Sequence, residues 1–120
     1  MTGETEISAN FTSITGGLIA YFYNSMTINN RVHGMALNLS STLPVTVNIH
    51  RVEVQRTNGT VFAVSDNPSI LGALLPGANF SLSVSPAIPP LVSEVQSWTV
   101  HWYGTYDGQN FEKVGYLFSF

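Results

Sequence analysis

The stretch VQSWTVHWYGTYDGQNFEKVGYLFSF, Val95 to Phe120, decides the fold. Trp98, Val100 and Trp102 alternate in its first half with Thr99, His101 and Tyr103. That is the period of a strand with one buried face. Asp107-Gly108 follows, a pair that accepts the positive φ of a two-residue hairpin turn. Val114, Tyr116, Phe118 and Phe120 alternate after the turn. The reading is one long aromatic hairpin. Trp98, Trp102, Tyr116, Phe118 and Phe120 face inward as the core, and Thr99, His101 and Tyr103 face outward.

Upstream, the same period recurs in short runs. Glu4 to Ile14 is a strand candidate carrying Ile7, Ala9 and Phe11 on one side. In Leu18 to Met26 both phases are apolar, which predicts a strand covered on both sides or lying at an interface. Met35, Leu37 and Leu39 alternate cleanly in Val32 to Ser40. Val45, Val47 and Ile49 keep one phase, and Val52 and Val54 keep the other, so a bulge or a change of sheet is expected at His50-Arg51. Asn29-Asn30, Asn58-Gly59 and Pro76-Gly77 are turn signals. Phe80, Leu82 and Val84 form a further strand, and a proline-broken segment leads back to the terminal hairpin. Turns every 8–12 residues or so predict an all-β, immunoglobulin-like antiparallel sandwich of seven to eight strands in one domain spanning 1–120.

Composition narrows the function classes. Charged residues are 9% of the 120, against a usual share of about 25%, while hydrophobic residues are 44%. Ser, Thr, Asn and Gly must therefore cover the surface, as in extracellular and filament-forming proteins. Four scattered cations, Arg31, Arg51, Arg56 and Lys113, build no phosphate-neutralising patch, so nucleic acid is set aside as a partner. The chain has no cysteine, which removes disulfides, thiol catalysis and thiolate metal sites. No run approaches the length of a membrane helix. The polar start Met-Thr-Gly-Glu-Thr-Glu reads as the point where an N-terminal anchor has been removed.

Three histidines, His33, His50 and His101, fall on separate strands without ligand spacing, so no metal is expected. Asp66 and Asp107 occupy turn positions, and neither a G-x-S-x-G elbow nor an S-x-x-K motif occurs. A non-enzymatic domain without cofactor is the expectation. Trp98, Trp102, Tyr103 and Tyr106 offer rings for sugar stacking, but the two tryptophans are better read as core. Four N-x-S/T sequons mark Asn10, Asn38, Asn58 and Asn79 as glycosylation candidates in an extracellular setting. The contact candidates are two apolar loops, with Ile70, Leu71, Leu74 and Leu75 in one and Ile88, Leu91 and Val92 in the other. His101 and Tyr103 on the outer face of the hairpin join them.

The profile resembles the soluble domains of archaeal surface-filament proteins. The residues that carry the likeness are VTVNIHRVEVQR from Val45 to Arg56, NGTVFAV after it, LLPGANFSLSV from Leu74 to Val84, and WTVHWYGTYDGQNF from Trp98. Among these the chain is most similar to the archaellum accessory proteins FlaF and FlaG. The resemblance implies a stator domain between cytoplasmic membrane and S-layer, membrane-bound only through an N-terminal anchor missing from this sequence. It implies the S-layer protein and archaellum components as partners. Low charge together with several apolar loops predicts a homodimer or higher self-association. Two rival readings are a carbohydrate-binding module and a β-sandwich subunit of a pilus or virion surface.

Overall fold

The computed structural model describes residues 12–13, 17–67 and 71–118. Asn10, Ile70, Phe120 and most of the Glu4 to Ile14 strand candidate lie outside the described residues. The strands are β1 (Thr12–Ser13), β2 (Leu18–Ile28), β3 (Arg31–Ser41), β4 (Val47–Gln55), β5 (Val61–Ser65), β6 (Ala73–Leu74), β7 (Asn79–Val84), β8 (Thr99–Tyr106) and β9 (Gln109–Leu117). One four-residue helix, α1 (Val92–Val95), follows the proline-broken segment, where the sequence reading had none. The Glu94 carboxylate accepts from the Leu91 N–H at 3.0 Å and closes its first turn.

The hydrogen-bonded path runs β5-β4-β8-β9-β2-β3-β7 and folds back on itself. One layer is β5-β4-β8-β9, with β6 paired to β4, and the other β2-β3-β7, an immunoglobulin-like sandwich in which β3→β4, β6→β7 and β7→β8 cross between layers. Pairing within the layers is antiparallel. The layers are stitched together by a short parallel contact, Tyr21 opposite Tyr116 and Phe22 opposite Leu117, so the sheet is mixed rather than purely antiparallel. β1 runs parallel to β9 at Phe111 and Glu112.

The core lies between the layers. Phe22, Leu37 and Leu39 from one side meet Val52, Val54, Val100, Trp102 and Phe111 from the other, all essentially without exposure. Phe80 of β7 meets the Trp102 ring edge-on at 5.7 Å across the sandwich. The expected bulge is present: the β4–β8 register shifts between Ile49 and Arg51, and both Ile49 and Val52 point inward. Asn29 and Asn30, at φ 52° and 63°, turn β2 into β3.

The phase expected for the last strand is wrong, and the reason is geometric. Asp107 and Gly108, at φ 52° and 77°, make a two-residue turn that pairs Tyr106 with Gln109. That register places Lys113 opposite Trp102 and Gly115 opposite Val100. Directly paired residues share a face, so Phe111, Gly115 and Leu117 point inward. Tyr116 and Phe118 point outward, 67% and 47% exposed. Gly115 is where the layers approach: a Cβ there would collide with the backbone carbonyl of Ala20 in β2.

Candidate interaction surfaces

The outer face of β4, β8 and β9 holds a closed polar network. Cross-strand rows place Arg51 beside Tyr103 and Glu112, and Glu53 beside His101 and Val114. The Arg51 Nε donates to Glu53 at 2.6 Å, and its Nη1 reaches Asp66 at 3.3 Å. Gln55 donates to the second Glu53 oxygen at 2.9 Å. The His101 Nδ1–H donates to Glu112 at 2.8 Å, while its Nε2 shares a hydrogen bond with the Thr99 hydroxyl at 2.8 Å. The rings of His101 and Tyr103 stack at 6.4 Å.

Electrostatics follow from this closure. Burial raises the Glu53 pKa, but hydrogen bonds from Arg51 and Gln55 and the charge of Arg51 outweigh it, and the carboxyl sits below its ordinary value. Burial, with the carboxylates of Glu112 and Glu53 nearby, pushes the Tyr103 phenol up to about 12. The face keeps its charges satisfied internally. His50 lies apart from His101, with its Nε2 3.3 Å from the Thr105 hydroxyl, and His33 is half-buried in the other layer. Among the described residues, no group of three His, Asp or Glu side chains is placed to hold a metal ion.

The outer face of β2, β3 and β7 has the opposite chemistry. Arg31 is the one lysine, arginine or carboxylate residue in these three strands. The register sets Tyr21 beside Asn38 and Ser81, Ile19 beside Ser40 and Asn79, and Tyr23 beside Ala36 and Ser83. The parallel seam extends the first row to Tyr116 of β9. The result is a row of paired residues, Tyr21, Asn38 and Ser81 across one layer, with Tyr116 at the seam where the path turns into the other layer. Phe118 leans on Tyr21 with ring centroids 5.4 Å apart, and its backbone N–H donates to the Phe22 carbonyl at 2.7 Å. Ile19 is 58% exposed on this face. The two-sided apolar pattern of Leu18 to Met26 thus marks a strand whose outer face is left open among the described residues.

An apolar end forms a third surface. Met26 and Ile28 at the β2–β3 hairpin are exposed, as are Ile88 and Leu91 in the segment bonded to it, and Arg31 is paired with both Ile28 and Leu91. Backbone hydrogen bonds from Val32 to the Pro90 carbonyl and from Val92 to the Asn30 carbonyl hold the two segments together. Arg31 bridges to Leu91 and donates to the Pro89 carbonyl at 3.0 Å.

The contact candidates separate under this geometry. Ile88 and Leu91 are exposed, Val92 packs partly on the core, and Leu75 is exposed. Leu71 and Leu74 are not contact residues: they are buried at 4% and 2%. Leu74 pairs with Val47, and the Ile49 N–H donates to the Gly72 carbonyl at 2.8 Å, which fixes this loop along the β4 edge. Trp98 and Trp102 are buried, so they form no sugar platform. Of the sequons, Asn58 sits in a turn and Asn79 is exposed at the start of β7. Asn38 is half-buried in mid-strand, and its amide donates to the Ala36 carbonyl at 3.4 Å. A cleft of about 160 Å³ opens between β5 and β7, lined by Leu37, Val52, Leu82 and Val84 among others.

No family model matches the chain. No curated protein matches it either. Solved structures with a similar backbone include a calcium-binding mutant of Bacteroides uniformis beta-glucuronidase 2, with TM-score 0.48 and 13% identity. That alignment covers 85% of this chain and 13% of the glucuronidase. The same enzyme covalently bound to cyclophellitol-6-carboxylate aziridine gives TM-score 0.44, also at 13% identity, over 83% of this chain and 12% of the other. The chain therefore spans a small part of these proteins. No helix among the described residues is long and apolar enough to cross a membrane.

Proposed function

We propose that this chain is a non-enzymatic, extracytoplasmic anchoring and assembly domain that works by surface contact. The observation that carries the proposal is the apolar end. Met26, Ile28, Ile88 and Leu91 come from two segments, are held by backbone hydrogen bonds, and stay exposed in a chain with a buried core elsewhere. Exposed apolar side chains on two segments tied together by backbone hydrogen bonds support an association surface at this end, with Arg31 among them. Its use in self-association accords with the low charge of the chain, and the likeness of the sequence to archaellum stator domains makes the S-layer protein the proposed further partner.

Sedimentation velocity tests this reading. The wild-type domain is expected to form dimers or larger species as concentration rises. A Met26→Asp, Ile88→Asp double variant is expected to remain monomeric with an unchanged unfolding midpoint, since both side chains are mostly exposed (55% and 82%). A wild-type domain that stays monomeric at the highest attainable concentration counts against it.

A further inference from the structure

We infer that the outer face of β2, β3 and β7, extended by the end of β9, is a binding site for a neutral oligosaccharide. It is separate from the apolar end and independent of the self-association proposed above. In the row Tyr116, Tyr21, Asn38, Ser81, neighbouring residues are directly paired across four adjacent strands. Strands lie about 4.8 Å apart, so Tyr21, Asn38 and Ser81 span about 10 Å across one layer, with Tyr116 at its border, a length that a short oligosaccharide covers. Its chemistry is graded from aromatic rings to an amide and then a hydroxyl. A pyranose is amphiphilic in the same way, with C–H faces that pack on rings and a rim of hydroxyls that seeks amides and hydroxyls.

Charge selects among ligands. The three strands contain no carboxylate, and their one cation, Arg31, lies at the hairpin end and is engaged with the Pro89 carbonyl. A nucleic acid, an anionic lipid surface or an acidic glycan would need cations here to offset its charge. The rings, with Tyr21 half-buried and Tyr116 and Phe118 exposed, are already placed. Tyr116 is 67% exposed, and Phe118 braces Tyr21 at 5.4 Å, so little side-chain ordering remains to be done on binding. Asn79 and Ser40 in the next row add an amide and a hydroxyl beside Ile19.

The test is an array of immobilised neutral and acidic oligosaccharides, followed by calorimetry with the strongest neutral binder. The expected result is binding of neutral glycans only. Tyr116→Ser and Tyr21→Ser are each expected to weaken it at least tenfold, and Tyr103→Phe on the opposite face to leave it unchanged. Should Tyr21→Ser fail to fold, Tyr116→Ser decides alone, because that side chain is mostly solvent-facing. The monomeric Met26→Asp, Ile88→Asp variant is expected to bind the glycan as the wild type does. No neutral glycan bound, a preference for acidic glycans, or wild-type affinity in Tyr116→Ser each overturns the inference. None of these outcomes alters the sedimentation result, so the two proposals fail separately.

Discussion

The two outer faces of this sandwich use polar atoms in opposite ways. On β4, β8 and β9, the charged groups Arg51, Glu53, Asp66 and Glu112 are bound to one another or to His101 and Gln55. On β2, β3 and β7, the outward groups are tyrosine rings, amides and hydroxyls with no ion pair among them in the described residues. A charge engaged by its neighbours stabilises the sheet and offers little to a ligand, because a ligand would have to displace that partner. A ring or hydroxyl facing water carries no such commitment. On the proposal above, the more polar face serves stability and the quieter face recognition. Substitutions should divide accordingly, with stability lost on the charged face and binding lost on the neutral one.

The seam between the faces should break both together. Gly115→Val places a branched side chain against the Ala20 carbonyl, where backbone rather than a flexible side chain blocks it. A loss of about 3 kcal/mol is expected in urea unfolding. Gly72→Ala is the matched control, since a Cβ there meets nothing within 4 Å. If Gly115→Val costs no more than Gly72→Ala, the parallel contact does not join the layers.

This seam also shows what was legible in the sequence. The turn at Asp107-Gly108 was readable, and a two-residue turn already pairs Trp102 with Lys113 and Val100 with Gly115. Hydrophobicity argued otherwise, because Tyr116 and Phe118 are far better core formers than glycine. The turn decides, since register follows from its length and one face follows from register. The alternation of Met35, Leu37 and Leu39 and the slip at His50 were readable because each is local. The burial of Leu71 and Leu74 was not, because the edge of β4 that covers them is distant in sequence. The four-strand row was hidden for the same reason: Tyr21 and Tyr116 come from opposite ends of the chain.

A smaller effect is expected within the charged face. Glu53→Gln keeps the shape but removes the charge that Arg51 and Gln55 hold in place. With Arg51 partly solvated, the loss at neutral pH should be about 1–2 kcal/mol. The Glu53 carboxyl titrates below its ordinary value of 4.5 in the folded state. The unfolded chain thus takes up its proton first as the pH falls. The stabilisation is full above that ordinary value and is lost as pH falls through the folded one. Urea midpoints of wild type and variant should converge in acid. A gap that is constant with pH would mean that Glu53 acts through packing rather than charge.

Tyr103 gives the subtlest contrast and works at the alkaline end. Its phenol is raised to about 12, whereas an unfolded tyrosine ionises near 10. Between those values the folded state holds a proton that the unfolded state has released, so stability falls as pH rises through the window. The two carboxylates that face the phenol cause part of the shift, because a phenolate beside Glu112 and Glu53 would add a like charge to a half-buried site. Tyr103→Phe removes the titrating group. Its stability at neutral pH should fall by about 0.5–1.5 kcal/mol with the hydrogen bond to Glu112, and its further loss between about pH 9 and about pH 11 should be less steep than that of wild type. Urea midpoints at the two pH values measure the slope, and ultraviolet titration of wild type against variant follows the phenol itself. An equal slope in both proteins would mean that the Tyr103 phenol is not the source of the alkaline loss.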